Sequence, residues 1–115
     1  MPPTVPPGWP RDLPAPSEAE FDARVVGWLL DRSPAGLRSS ALTTFPAALC
    51  LVVQDVVRGE IDGLRAAYAS ARVRLATSLE PQQVATVLAA LESEGAALLQ
   101  IQREVDAVGR ALIGD

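Results

Sequence analysis

The sequence of 115 residues contains no histidine, no lysine and no asparagine, and its only cysteine is Cys50. Without histidine there is no imidazole to act as an acid or base near neutral pH. Without lysine there is no amine for a Schiff base or a phosphate-binding loop. One cysteine allows no internal disulfide and, without histidine, no zinc site. We therefore expect a protein that is not an enzyme and has no cofactor and no metal.

Long apolar runs are also lacking. The longest, from Ala47 to Val53, covers seven residues, far fewer than the roughly 20 that cross a bilayer as a helix. Prolines occupy the first positions, where a signal peptide would have a basic segment and an apolar stretch. We therefore expect no membrane segment and a cytoplasmic location, which agrees with a single unpaired cysteine.

Charge is unevenly distributed along the chain. All ten basic residues are arginine, against 14 acidic residues, for a net charge of −4. Residues 33–79 carry five arginines and three acids (+2), whereas residues 80–115 carry two arginines and six acids (−4). The two segments complement each other. An acidic total argues against nucleic acid as a partner, because a nucleic-acid-binding surface needs basic residues to neutralise phosphates.

The first 16 residues hold seven of the ten prolines, which predicts an extended arm, partly in the polyproline II conformation. Trp9 lies in this arm, within the segment PPGWP (6–10). An undocked tryptophan would expose a large apolar surface, so we expect it to pack on the chain's own helices or on another protein. Trp9, Pro7 and Pro10 are therefore candidate partner-binding residues.

The rest of the chain has the apolar periodicity of helices, with spacings of three and four residues. Ser17 and Glu20 predict a capping box at the first helix. Thr43 or Thr44 is expected to cap the second helix, with Pro46 in its first turn. The predicted helices cover about residues 17–32, 45–78 and 81–112 of a single helical domain, 17–115.

Two long helices joined by a short turn predict an antiparallel αα-hairpin. With the turn near residue 80, facing residues have numbers that sum to about 160, which places Tyr68 near Glu92. The predicted fold class is all-α: a proline-rich arm, one short helix and this hairpin. The first helix can cover only about half of the hairpin, so we expect a homodimer in which two hairpins form a helical bundle.

Arg58, Arg65 and Arg72 are spaced by seven residues and share one stripe of the second helix. They are candidate partner-binding residues. The alternative is ion pairing within the hairpin, because Asp62 lies four residues from Arg58. Near this stripe, Gly59 and Gly63, with Gly95 opposite, predict either close helix approach or a bend; a groove for a partner's backbone is the functional alternative.

The segments PPGWP and VGWLLD (26–31) resemble a family of small, uncharacterised all-helical proteins from high-GC bacteria. Members continue into a Cys-Pro-rich turn, where this chain has Arg32-Ser33-Pro34. The resemblance implies a single-domain helical architecture and no particular activity.

These features predict a noncatalytic protein-protein interaction or adaptor protein that acts through the hairpin flank, the arm or both. The alternative is a regulatory or accessory subunit of an enzyme or nucleic-acid machine that uses the arginine stripe. The identity of the protein partner is not encoded in any motif of the sequence.

Overall fold

A computed structural model describes residues 4–114 of the chain. These residues form three α-helices and two short 3-10 helices, with no strand among them, so the all-α prediction is confirmed. The helices are α1 (Glu20–Leu30), 3-10 helices at Ala35–Ser39 and Ala41–Thr44, α2 (Pro46–Leu75) and α3 (Pro81–Ile113).

The predicted capping box of the first helix is wrong. Helix α1 begins at Glu20, and its N-cap residue, Ala19, makes no side-chain hydrogen bond. The carboxylate of Glu18 instead accepts a hydrogen bond from the backbone N–H of Ala15, at 3.0 Å. The chain therefore enters α1 through a turn that the arm itself stabilises, which delays the helix by three residues.

The predicted threonine cap of the second helix is wrong too. The hydroxyls of Thr43 and Thr44 donate to carbonyl oxygens within the second 3-10 helix and its start, so they do not reach the N-terminus of α2. Pro46 does begin α2. A capping box is found at α3 instead, where the side chains of Glu80 and Gln83 each accept from the other residue's backbone N–H.

Helices α2 and α3 form the antiparallel hairpin in the predicted register. The hydroxyl of Tyr68 donates to a carboxylate oxygen of Glu92 at 2.7 Å, and their numbers sum to 160. Leu64 lies beside Gly95. The 33 residues of α3 span roughly 50 Å at 1.5 Å per residue. This length dominates the molecule, whose extents are 55 × 35 × 20 Å.

The two ends of the hairpin differ in what surrounds them. We call residues 46–61 and 98–113 the base, and residues 62–75 and 81–97 the tip. At the base, the apolar side of α1 packs with α2 and α3 in the main core, where Val25, Val53 and Val105 are at most 1% exposed. The tip has only a small cluster around Val84 and Leu88. The core is therefore concentrated at one end.

The described part of the arm packs on the base. Its first turn is Pro6-Pro7-Gly8-Trp9, closed by the backbone N–H of Trp9 donating to the carbonyl of Pro6 at 3.1 Å. Gly8 has φ +80°, which suits the third position of a type II turn with proline before it. This turn differs from the predicted extended arm. Gly8 approaches α3, since a Cβ atom there would lie 3.6 Å from the carbonyl oxygen of Arg103.

Candidate interaction surface

Trp9 is docked on its own chain. Its indole Nε1 donates to the carbonyl oxygens of Leu13 and Pro14, each at 3.1 Å. The ring packs on Phe21 with centroids 5.6 Å apart and joins the edge of the main core. Pro10 is fully buried, whereas Pro7 is exposed at the turn. The indole hydrogen-bonding group and much of the ring are thus already engaged.

A polar cluster holds the arm against α1. The carboxylate of Asp12 accepts hydrogen bonds from the indole Nε1 of Trp28 at 2.8 Å and from the guanidinium of Arg32 at 3.3 Å. The same guanidinium stacks on the Trp28 ring, 3.8 Å from its centroid. Burial acts to raise the pKa of Asp12, but the Trp28 hydrogen bond and the Arg32 charge outweigh it, and the net shift is downward.

An apolar groove of about 400 Å³ lies between α2 and α3 at the tip and reaches Ile61 and Leu99 at the adjoining end of the base. Tyr68 and Leu99, on its two sides, are 39% and 38% exposed. Arg65 lies at the α2 edge and Glu92 at the α3 edge. The full lining is Ile61, Leu64, Arg65, Tyr68, Leu91, Glu92, Gly95, Ala96 and Leu99. No residue of the described arm or of α1 is among them.

The groove and the end of α1 lie on opposite faces of the hairpin. The segment after α1, at Ser33, borders a depression lined by Glu60 of α2 and Glu94 of α3. At 3.6 residues per turn, Glu60 lies about 140° from Arg65 around α2, and Glu94 about 160° from Glu92 around α3. Helix α1 therefore covers one face of the hairpin and leaves the groove face uncovered.

The predicted arginine stripe runs along the α2 edge of this face. Arg58 pairs with Asp55 at 2.8 Å, and Arg65 lies 4.0 Å from Asp62. The expected ion pairing within the hairpin is therefore found for Arg58 and Arg65, but each arginine pairs with the acid three residues before it, so the expected pairing of Asp62 with Arg58 is wrong. All four side chains are more than 60% exposed, and such pairs contribute about 0–1 kcal/mol. The arginines are tethered locally and remain accessible.

Arg72 ends the stripe near the polar contact that crosses the hairpin. The hydrogen bond to Glu92, together with the charge of that carboxylate, raises the pKa of Tyr68, and the charge of Arg72 opposes this shift only in part. Tyr68 therefore carries its proton more firmly than a free tyrosine and stays a hydrogen-bond donor.

The predicted close helix approach is not found at Gly59, Gly63 or Gly95, although Gly95 does line the apolar groove. A Cβ atom at Gly59 or Gly63 would meet nothing within 4 Å, and one at Gly95 would make an ordinary 3.7 Å contact with Leu64. Close approach occurs at Gly109, where a Cβ atom would collide with the side chain of Gln54. The sequence analysis did not identify Gly109 as a contact with α2. A glycine near a helix end does not show, by its sequence position, which residues of another helix lie against it.

Cys50 is fully buried beneath this contact. Its thiol points to the carbonyl oxygen of Val105 at 3.7 Å. Burial, with a smaller contribution from the charge of Asp106, raises the pKa of Cys50 to about 11. A thiol that stays protonated is a poor nucleophile, so the residue serves packing.

Within residues 4–114, no group of three or more histidine, cysteine, aspartate or glutamate residues is placed to hold a metal ion. Helix α3 is long and apolar enough, by length and composition, to cross a bilayer, although the core helix of a soluble protein can meet the same test. Only 17% of its most apolar 18-residue window is buried in this fold. Much of the apolar surface of α3 therefore faces outward.

The residues predicted to bind a partner do not form one site. Trp9 and Pro10 are packed at the base, whereas Arg65 borders the groove at the tip. Comparison with protein-family models, with curated proteins and with solved structures finds no match to this chain. The family resemblance in PPGWP and VGWLLD stays a prediction.

Proposed function

We propose that this chain is a noncatalytic protein-binding module whose partner packs on the groove face of the hairpin tip. The observation that carries the proposal is an apolar groove, flanked by half-exposed Tyr68 and Leu99, that no described part of the arm or of α1 covers. Exposed apolar surface of this kind is typical of binding sites. The homodimer expected from the sequence belongs to this proposal.

The arm is the weaker candidate for the binding surface. Both carbonyl contacts of the Trp9 indole, and its packing on Phe21, are made within the chain. A partner that used Trp9 would first have to break them. The arm instead favours a structural role, as a cover over one end of the hairpin.

A protein surface suits the exposed side of α3 better than a bilayer does. Glu92 and Glu94 lie near the middle of this helix, where a charged side chain at membrane depth costs at least about 2.5 kcal/mol. At a protein surface, Glu92 can remain at the rim of the groove and keep its hydrogen bond from Tyr68.

The alternative function is that of a regulatory or accessory subunit that contacts a nucleic-acid machine through Arg58, Arg65 and Arg72. Their exposure supports it, whereas the nearby Asp55 and Asp62 reduce the charge that phosphates would meet. A salt-sensitive shift of DNA or RNA at low ionic strength would support the alternative. Absence of any shift would exclude direct nucleic-acid contact.

Site-specific photocrosslinking tests the proposed function. A benzophenone amino acid replaces Leu99, beside the groove, in the cells that make the protein naturally. A matched control carries it at Ala111, an exposed position near the C-terminal end of the same helix and away from the groove. We expect a discrete protein adduct from position 99 and none from position 111. No adduct at 99, or equal adducts at both positions, would contradict the proposal.

A further inference from the structure

We infer that the occupant of the groove face is a second copy of this chain, related by a two-fold axis parallel to the hairpin. In this dimer α2 of each chain packs across α3 of the other, and Arg65 faces the partner's Glu92. The inference rests on the proposed function and specifies its partner.

The two edges of the groove face carry opposite charges. Along α2, Arg58, Arg65 and Arg72 alternate with Ile61 and Tyr68 at steps of three and four residues, so they share one side of the helix. The three charges in this row are positive, and the acids that pair with Arg58 and Arg65, Asp55 and Asp62, lie on the side of the row away from the groove. The edge formed by α3 carries the opposite charge.

On α3, the corresponding edge passes from Ala85 and Ala89 through Glu92 to Ala96, again at steps of three and four. Within the tip its one charge is negative, and its other members are alanines, all exposed; the next charge along this edge, Arg103, lies where the arm packs on α3. A partner helix can come close over alanines, because they have almost no side chain to displace. The α3 edge is therefore an acidic and open complement to the basic α2 edge.

The charges select one of the two face-to-face arrangements. A two-fold axis across the hairpin would place α2 over the partner's α2, with arginine rows opposed. An axis along the hairpin places α2 over the partner's α3. The hairpin register sets Arg65 level with Gly95, so this axis brings Arg65 over the turn of the partner helix that carries Glu92. Opposite charges then meet twice, once in each direction.

The free face is smaller than a standard interface, and small interfaces are typical of weak and transient complexes. The arm lies on α3 at Arg103 and Ala107, which leaves the part from about the level of Leu99 to the end of the tip. That length is roughly 25 Å, and two helices are about 20 Å wide, for a face of about 500 Å². Standard interfaces bury about 800 Å² per partner. We therefore expect a reversible dimer that forms at micromolar concentration.

Sedimentation velocity of the purified full chain tests the dimer. The chain has a mass of 12.1 kDa, and we expect a shift toward twice that mass as the concentration rises from low to high micromolar. A monomer throughout this range would overturn the inference. If the adduct at position 99 were then found with another protein, the proposed function would stand and only the choice of partner would fail.

Charge reversal tests the arrangement. Arg65→Glu and Glu92→Arg each create two like-charge contacts in their own homodimer, and we expect each to weaken self-association at least about tenfold. An equal mixture of the two variants restores both opposite-charge contacts between unlike chains. The mixture should therefore dimerise again, to within about threefold of the wild-type affinity.

This recovery is specific for contacts between chains, because a pairing within one chain would not be repaired by mixing. Arg74→Glu is the matched control: Arg74 is an exposed arginine of α2 that borders the tip's other face, and its reversal should leave dimerisation unchanged. Circular dichroism verifies that each variant is folded. Three results would overturn the arrangement. The first is an unchanged dimerisation affinity in both Arg65→Glu and Glu92→Arg, and the second is an equal loss of affinity in Arg74→Glu. The third is a mixture of the two groove variants that does not dimerise.

Discussion

The base and the tip of the hairpin are built from the same two helices, yet only the base is covered. At the base, α1 and the arm add a layer, and Leu29, Leu49 and Val108 have no exposed surface. At the tip, α2 and α3 have only each other, and Tyr68 remains 39% exposed. The amphipathic pattern continues through both regions, so helix periodicity alone does not decide what is buried. The difference lies in the layer added by residues 4–45.

The base supplies most of the stability of the fold, and the tip supplies the surface for binding. Burial of apolar side chains is the main source of stability, and most of the deeply buried ones lie at the base. The tip keeps apolar surface that a partner can bury. In many proteins the regions that bind ligands are among the least stable parts of the fold. A binding surface at the tip follows this pattern.

Leucine truncations at the base and at the tip should give the largest changes in the free energy of unfolding. Leu49 at the base is 0% exposed, and Leu88 at the tip is 5% exposed. We expect Leu49→Ala to lower the free energy of unfolding by about 3–5 kcal/mol and Leu88→Ala by about 1–3 kcal/mol, because the thinner tip can collapse around the cavity. Urea unfolding at concentrations below dimerisation measures both. Equal losses would show that the two ends are equally well packed.

Trp9→Ala should give the next largest effect. It removes the ring that packs on Phe21 and both hydrogen bonds to the arm's carbonyls, so we expect a loss of about 2–4 kcal/mol. The control, Pro7→Ala, changes the same turn at an exposed position and should cost at most about 1 kcal/mol. Thermal or urea unfolding measures both variants. A neutral Trp9→Ala would mean that the arm does not help to cover the base.

Acid should weaken the packing of the arm before it affects the tip, because the Asp12 carboxylate binds Trp28 and Arg32. The pKa of this carboxyl lies below its ordinary value of 3.8 in the folded chain. Folding therefore favours the charged form, and the resulting stabilisation is complete above the unfolded pKa and lost as the pH falls through the folded one. We expect Asp12→Asn to reduce the loss of stability between neutral pH and about pH 3. An unchanged pH profile would exclude Asp12 as a contributor.

The smallest expected effect is a shift in the pKa of Tyr68, at the tip, when Glu92 is replaced. Tyr68 is the only tyrosine, so its absorbance titration is free of overlap. The hydrogen bond to Glu92 raises its pKa above the ordinary 10.0, and Glu92→Gln should move the midpoint back down. A midpoint that does not respond to this substitution would place Tyr68 and Glu92 out of contact and contradict the hairpin register.

Local pattern explains what the sequence predicts well. Apolar spacing and the prolines at 46 and 81 place the long helices to within about three residues, and the short turn between them sets the register that brings Tyr68 to Glu92. The arginine stripe was likewise visible as a repeat of seven. These features depend on neighbours in sequence or on one turn.

Contacts between distant segments explain what the sequence does not predict. Asp12 meets Trp28 and Arg32 across 16 and 20 positions, and no periodicity links them. The face that α1 covers, and hence the face that keeps the groove, also depends on the path of residues 31–45. The sequence predicts an uncovered flank but leaves open which side of the hairpin it occupies.

Hydrogen–deuterium exchange at two protein concentrations tests most directly the claim that the tip is a binding surface and the base is complete. We predict that backbone amides near Arg65 and Glu92 exchange more slowly at high than at low micromolar concentration, because a second chain covers the groove face. Amides near Val53 and Val105 should keep the same rates. Concentration-independent exchange at the tip, or equal slowing at both ends, would contradict the account.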